Sequence, residues 1–308
     1  DGYAQVAEGA LQALAAEAVR EFERAHGRFK AGELLVLGLG RLGGGSLTHA
    51  SDLDIIYLHT APAGQGSDGA KPLGPNDYFN RLASRVTAAL SVPTAAGPLY
   101  DVDTRLRPEG AKGMLVVSLE AFERYQRKEA WTWEHMALCR ARPVFGSPEV
   151  RARCERIIGE ILRMPRDPAK VIADAVKMRG EMELHKPPRG TLDVKLGPGG
   201  LIDLEFAVHV LQLTRHVALD PRLDAALEAL ANESFIDTKI IEAQKLLTRM
   251  LVMMRLVAPA DVKPTAETWQ LVAEACGAAS WDALLAEHDA ARQSIAELWI
   301  RIKKEALQ

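Results

Sequence analysis

The feature that most constrains the fold is a change of texture near Gly146. Before it, short apolar runs alternate with glycine-rich turns; after it, one helical segment follows another, separated by Pro, Gly or Asn/Asp punctuation. The later segments are 148–164, 168–185, 200–216, 222–231, 235–257, 266–275 and 281–307. The earlier part reads as an amphipathic helix over 4–26, with Val6, Leu11, Leu14, Ala18 and Phe22 at helical spacing. A strand over 33–39, a Gly-rich turn over 38–51, a strand over 53–58, an exposed loop over 61–75, a helix over 78–90 and a strand over 99–106 follow. This pattern predicts an α+β chain, a mixed sheet with flanking helices in residues 1–146 and an all-α bundle in residues 147–308.

The sharpest chemical signal heads the second strand, in Ser51-Asp52-Leu53-Asp54. Strand side chains alternate, so Asp52 and Asp54 are expected on one side while Leu53 and Ile55 face the core. Two carboxylates held that close repel unless a cation lies between them. Carboxylate oxygens are the hard ligands that Mg²⁺ prefers, usually one or two of them with substrate phosphates. A bare pair of acids is also common at a solvated strand end. The preceding Gly43-Gly44-Gly45-Ser46 tips the balance, because glycines allow backbone N–H groups to turn toward a phosphate.

A third acid is expected from a neighbouring strand, and Asp101 and Asp103 are both candidates. The same strand face would carry Arg105 and Arg107, either as forks for phosphate oxygens or as braces for the acids.

Charge agrees with a local anion site only in the middle of the chain. Residues 101–195 hold 19 Lys/Arg against 15 Asp/Glu, within a chain of net charge −3. Surface salt pairing explains that excess as readily as a phosphate site does, and the overall balance excludes nucleic-acid binding by bulk charge. Cys139, Cys154 and Cys276 have no metal spacing, so a reducing compartment is expected. No apolar run approaches the roughly 18–20 residues of a membrane helix, and Asp1-Gly2-Tyr3-Ala4 does not open a signal peptide. A cytoplasmic location is expected, in a chain that starts mid-pattern like a piece of a longer polypeptide.

Gly43-Gly44 followed by Ser51-Asp52-Leu53-Asp54 resembles the signature of the DNA polymerase β-like nucleotidyltransferase superfamily. Asp103-Thr104-Arg105-Leu106-Arg107-Pro108-Glu109-Gly110, Glu129-Ala130-Trp131-Thr132-Trp133-Glu134-His135 and the stretch from Asp193 to Phe206 resemble the glutamine-synthetase adenylyltransferases. In that family one half of a long polypeptide adds AMP from ATP to a tyrosine of glutamine synthetase, and a related half removes it by phosphorolysis. The wording around Asp103 and Trp131 resembles the adenylylating half more closely.

The resemblance implies metal binding, by Mg²⁺ or Mn²⁺, at Asp52, Asp54 and Asp103. It implies nucleotide contacts at Gly43, Gly44 and Ser51, and an approach of Lys195 beside the Gly197-Pro198-Gly199-Gly200 turn. It also implies a PII signalling protein and glutamine as regulators. The chain departs from the family with Arg41 where Lys is common and with Gly45-Ser46 where an Arg-Glu pair is common. The deadenylylating half and a regulatory nucleotide-binding module are the alternatives to an adenylylating enzyme.

Away from these motifs, Trp131 and Trp133 read as core aromatics, and His135 and His209 as structural histidines. Asp203 and Glu205 suit the start of a helix, where acids meet its positive end.

Overall fold

The computed structural model describes residues 2–95, 97–258 and 264–305. It divides into two compact units, Asp1–Met164 and Pro165–Gln308.

The first unit opens with α1 (Gly2–His26), whose buried Ala4, Ala7, Leu11, Ala15, Ala18 and Phe22 repeat every three or four residues and form one apolar stripe. Strand β1 (Leu34–Gly38) is buried along its length and is followed by a one-turn helix, α2 (Gly40–Gly43). Strand β2 (Leu53–His59) and helix α3 (Pro75–Ser91) come next. Then follow β3 (Val102–Asp103), β4 (Val116–Ser118), α4 (Leu119–Lys128), α5 (Thr132–Leu138), β5 (Arg142–Phe145) and α6 (Pro148–Leu162).

The sheet runs β3-β2-β1-β5, with β4 also on β2. β1 is antiparallel to β2 and to β5, whereas β2 is parallel to β3 and β4, which makes the sheet mixed. Leu53, Ile55, Tyr57 and Val36 join the α1 and α3 stripes in one core. Asp54, between Leu53 and Ile55, is thereby turned to the opposite face.

Two expectations change here. The strand expected over 99–106 is only Val102–Asp103. Asp103 Oδ1 accepts a hydrogen bond from the Arg105 backbone N–H at 2.8 Å, a local turn that bends the chain off the sheet edge. The change of texture near Gly146 also does not coincide with the division between units, because α6 packs with the sheet. Glu33, just before β1, accepts from both the N–H and the hydroxyl of Ser147, the cap of α6, at 2.7 Å each. Arg127 of α4 reaches Glu160 at 2.6 Å and Arg153 reaches Glu120 at 2.8 Å, so two ion pairs join α4 to α6.

The second unit is helical: α7 (Pro168–His185), α8 (Leu201–Arg215), α9 (Leu223–Asn232), α10 (Lys239–Val257), α11 (Ala266–Cys276) and α12 (Trp281–Glu305). α8 is buried almost all round, which marks it as the centre of the bundle. Phe206 meets Trp299 edge-on, and Trp269 stacks on Trp281 with ring centroids 5.5 Å apart. The expected 306–307 end of the last helix lies outside the described residues. Among the described residues no helix is long and apolar enough to cross a membrane.

Candidate metal and nucleotide site

Asp54 stands opposite Asp103 in the parallel pairing of β2 with β3. Parallel partners point to the same side of a sheet, and Asp52, two residues before Asp54, joins them. One carboxylate oxygen from each of Asp52, Asp54 and Asp103 lies within 4.8 Å of the others. Among the described residues this is the group of acids so placed, and Asp101 is not part of it. Asp101 instead supplies a backbone carbonyl that accepts the Leu53 N–H at 2.9 Å, extending the β2–β3 ladder.

Backbone geometry fixes each acid. Gly40 has φ +52°, and a Cβ there would sit 2.5 Å from Asp54 Oδ2, so only glycine lets the carboxylate rest against this turn. Leu39 N–H donates to the Asp54 carbonyl at 2.9 Å, tying β2 to the same turn. Ser51 Oγ accepts from the Thr48 N–H at 3.0 Å and pairs with the Thr48 hydroxyl at 2.9 Å. The Ser51 hydroxyl thus closes the turn that delivers Asp52.

Gly43 is buried, and a Cβ on it would lie 1.9 Å from the Arg140 carbonyl, so close packing already requires glycine there. Gly44 caps α2 and donates to the Gly40 carbonyl. The loop is further braced by two arginines near β5. Arg140 donates to Ser46 Oγ at 2.8 Å. Arg142 donates to the Gly43 carbonyl at 3.1 Å and forms a fork on Glu8 of α1. Sequence reasoning missed Gly40, Arg140 and Arg142. The alternation of Arg140 and Arg142 is a weak signal of two cations on one face of a strand.

Of the two arginines expected as phosphate forks or as braces for the acids, Arg105 lies on an acid and Arg107 on a loop. Arg107 donates to the carbonyls of Thr104, Ala111 and Gly113, at 2.9, 3.1 and 3.2 Å, and so closes the loop after β3. Arg105 lies on Asp103: its Nε donates to Oδ1 at 3.0 Å and to Oδ2 at 2.9 Å, and its Nη2 donates to Oδ2 as well. These bonds to Asp103, with the added charges of Asp52 and Asp54, hold the Arg105 guanidinium above its usual range.

Lys195 belongs to the second unit, in the turn before α8. Asp193 Oδ1 accepts the N–H groups of Lys195 and Leu196 at 3.0 and 2.9 Å. Beneath the Gly197–Gly200 turn, Asp203 is buried. Its Oδ1 accepts from Arg179 Nε at 2.6 Å and its Oδ2 from the Gly199 N–H at 2.6 Å. Arg179 also donates to the Leu196 carbonyl.

Trp131 is a correction, since it is 70% exposed at the start of α5. Its N–H donates to Glu134 Oε2 at 2.9 Å, where Tyr125 OH also donates, so the backbone rather than the ring is anchored. His135 is buried and bonds the Gln126 carbonyl, as a structural histidine does. The three cysteines are buried and form no disulfide among the described residues.

A family model described as glutamate-ammonia ligase adenylyltransferase matches residues 2–157, and one described as GlnD PII-uridylyltransferase matches residues 175–301. A bifunctional glutamine synthetase adenylyltransferase/adenylyl-removing enzyme of Brucella suis is 45% identical over 255 residues, 80% of this chain and 25% of the relative. Its namesake in Rhizobium meliloti is 44% identical over 281 residues, covering 87% and 28%. That of Stenotrophomonas maltophilia strain R551-3 is 40% identical over 293 residues, covering 92% and 32%. The chain therefore spans about a quarter to a third of the length of the curated relatives it matches.

Proposed function

Since the chain belongs to the glutamate-ammonia ligase adenylyltransferase family, we propose that it transfers AMP from ATP to a tyrosine hydroxyl of glutamine synthetase and releases pyrophosphate. The single observation that carries this reading is the convergence of Asp52, Asp54 and Asp103 within 4.8 Å. Three hard oxygen donors facing one volume fit a divalent cation, Mg²⁺ or Mn²⁺. The cluster already draws one positive charge, that of the Arg105 guanidinium on Asp103. Such ions supply the lowering of a hydroxyl's pKa and the neutralising of phosphate charge.

The chain's own residues set the rest. Asp52, Asp54 and Asp103 would hold the divalent metal, and Asp103 would also accept the proton of the attacking tyrosine. The tyrosine oxygen forms a bond to the α-phosphorus as the bond from that phosphorus to the pyrophosphate oxygen breaks. The 40–46 loop would lie along the nucleotide, with Gly43 and Gly44 giving it its close-packed shape and Ser51 fixing the turn before the acids. Lys195 is proposed to meet a phosphate. Residues 1–164 carry catalysis in this reading, and 165–308 engage the protein substrate and its regulators, a PII protein and glutamine. The location would be cytoplasmic.

Asp54→Asn tests the core of the proposal. Labelled ATP and unmodified glutamine synthetase should show AMP transfer by the parent chain and a loss of roughly 10³-fold in the variant, with an unchanged circular dichroism spectrum. Retained transfer would sink the reading. AMP release from adenylylated enzyme plus phosphate, without transfer from ATP, would assign the chain to the phosphorolytic half instead.

A further inference from the structure

Arg105 covers the acid that the proposed chemistry needs. Its guanidinium and backbone together place donors on both oxygens of Asp103: the backbone N–H and Nε on Oδ1, and Nε with Nη2 on Oδ2. Yet one oxygen of Asp103 is also among the three that lie within 4.8 Å of one another. A divalent cation and the guanidinium would therefore draw on the same few lone pairs, and each repels the other at that range.

The two attachments of Arg105 differ in kind. The backbone bond belongs to the local turn and survives any change of side-chain rotamer. The side chain is 75% exposed, against 15% for that of Asp103, so the fork can leave without disturbing the core. Asp103 is held in direction by the backbone and neutralised by the side chain.

We propose that Arg105 is an internal counter-ion, which covers Asp103 until a divalent cation displaces it and then turns its fork to the phosphates of the nucleotide. This inference rests on the adenylyl-transfer reading for the identity of its ligands. It makes Arg105 a positioning residue that couples the arrival of metal to the gripping of phosphate. A bidentate donor freed beside a newly bound triphosphate finds oxygens with the same spacing as those it left.

The test is Mn²⁺ binding to the whole chain without nucleotide, followed by electron paramagnetic resonance of the free ion. Arg105→Ala should tighten Mn²⁺ by roughly three- to fivefold, the scale of a partly exposed ion pair. That gain should vanish when Asp103→Asn is already present, because nothing remains to compete for. In the presence of Mg²⁺, the same Arg105→Ala chain should bind ATP roughly tenfold more weakly, as loss of a charge-assisted bond requires.

Mn²⁺ affinity that is unchanged or weaker in Arg105→Ala would overturn the proposal, since a simple brace of Asp103 gives that result. ATP affinity that holds or rises would overturn the phosphate half of it. Absence of saturable Mn²⁺ binding in parent and variant alike would instead remove the metal reading beneath it.

Discussion

Two places in this molecule combine a glycine turn, an aspartate and an arginine, and they handle charge in opposite ways. At the head of β2, three carboxylates converge with one exposed arginine laid over them. At the head of α8, Asp203 and Arg179 form a buried pair, with side chains only 7% and 8% exposed. The second aspartate is also bonded by the Gly199 N–H, and its partner by the Leu196 carbonyl, so its charge is answered internally. The first cluster keeps negative charge in excess and open to solvent. Cancelled charge holds a turn in shape; uncancelled charge, kept in place by backbone, is what the proposed cation would answer.

The contrast predicts opposite stability effects, and the largest belongs to the helical unit. Arg179→Ala leaves Asp203 buried without its partner, which costs about 3–5 kcal/mol for a broken buried pair. Thermal melting of the whole chain should show a clear drop, attributable to residues 165–308 by hydrogen exchange. Asp54→Asn, by removing one of three repelling acids, should leave the melting temperature unchanged or slightly raised. If both substitutions destabilise alike, the distinction between the two places fails.

A smaller effect is expected where backbone rather than charge holds the acid. Gly40→Ala puts a methyl 2.5 Å from Asp54 Oδ2 and imposes an alanine at φ +52°. Strain of about 1–2 kcal/mol is expected from the left-handed backbone. Displacing the supported carboxylate should weaken Mn²⁺ binding by roughly 10- to 100-fold, as loss of a group that orients a ligand commonly does. Unaltered Mn²⁺ affinity would show that Asp54 does not depend on this turn.

How much of this was legible in the sequence follows from the range of each interaction. The same-face placement of Asp52 and Asp54 is a two-residue property of strands, so it was readable, as were the helix limits of the second unit to within a few residues. Asp103 was readable only as one of two candidates, because the choice over Asp101 depends on a parallel register with β2. Gly40 could not be singled out from its glycine-rich surroundings, because its neighbour Asp54 lies on another element. Arg142 reaches Glu8 across more than a hundred residues, which no local pattern encodes. β5 was hidden for a further reason: it contains Pro143, which a strand tolerates at a sheet edge, and among the described residues β5 pairs with β1 alone. Exposure of Trp131 was missed because aromatic content alone favours the core, whereas the capping role of Glu134 binds the Trp131 backbone and leaves the ring outside.

Glu134 supplies a third arrangement against which the first two can be measured, an acid buried to 3% exposure and bonded by the Trp131 N–H and the Tyr125 hydroxyl. Burial raises its pKa, and the hydrogen bonds from the Trp131 N–H and the Tyr125 hydroxyl offset only part of that rise. The unfolded chain gives up this proton at about pH 4.3, the ordinary glutamate value, while the folded chain keeps it to higher pH. Between those two points the native state binds more protons than the unfolded one, so stability falls as pH rises through the window. The slope contributed by one group cannot exceed about 1.4 kcal/mol per pH unit. Glu134→Gln keeps an oxygen for the same two donors and removes the titration. Denaturation midpoints measured from about pH 4 to 6.5 should therefore decline less steeply in the variant than in the parent, with a small gain at neutral pH. Parallel slopes would mean that the burial of Glu134 is compensated by its two hydrogen bonds, and that an acid in this chain can be neutralised without any cation.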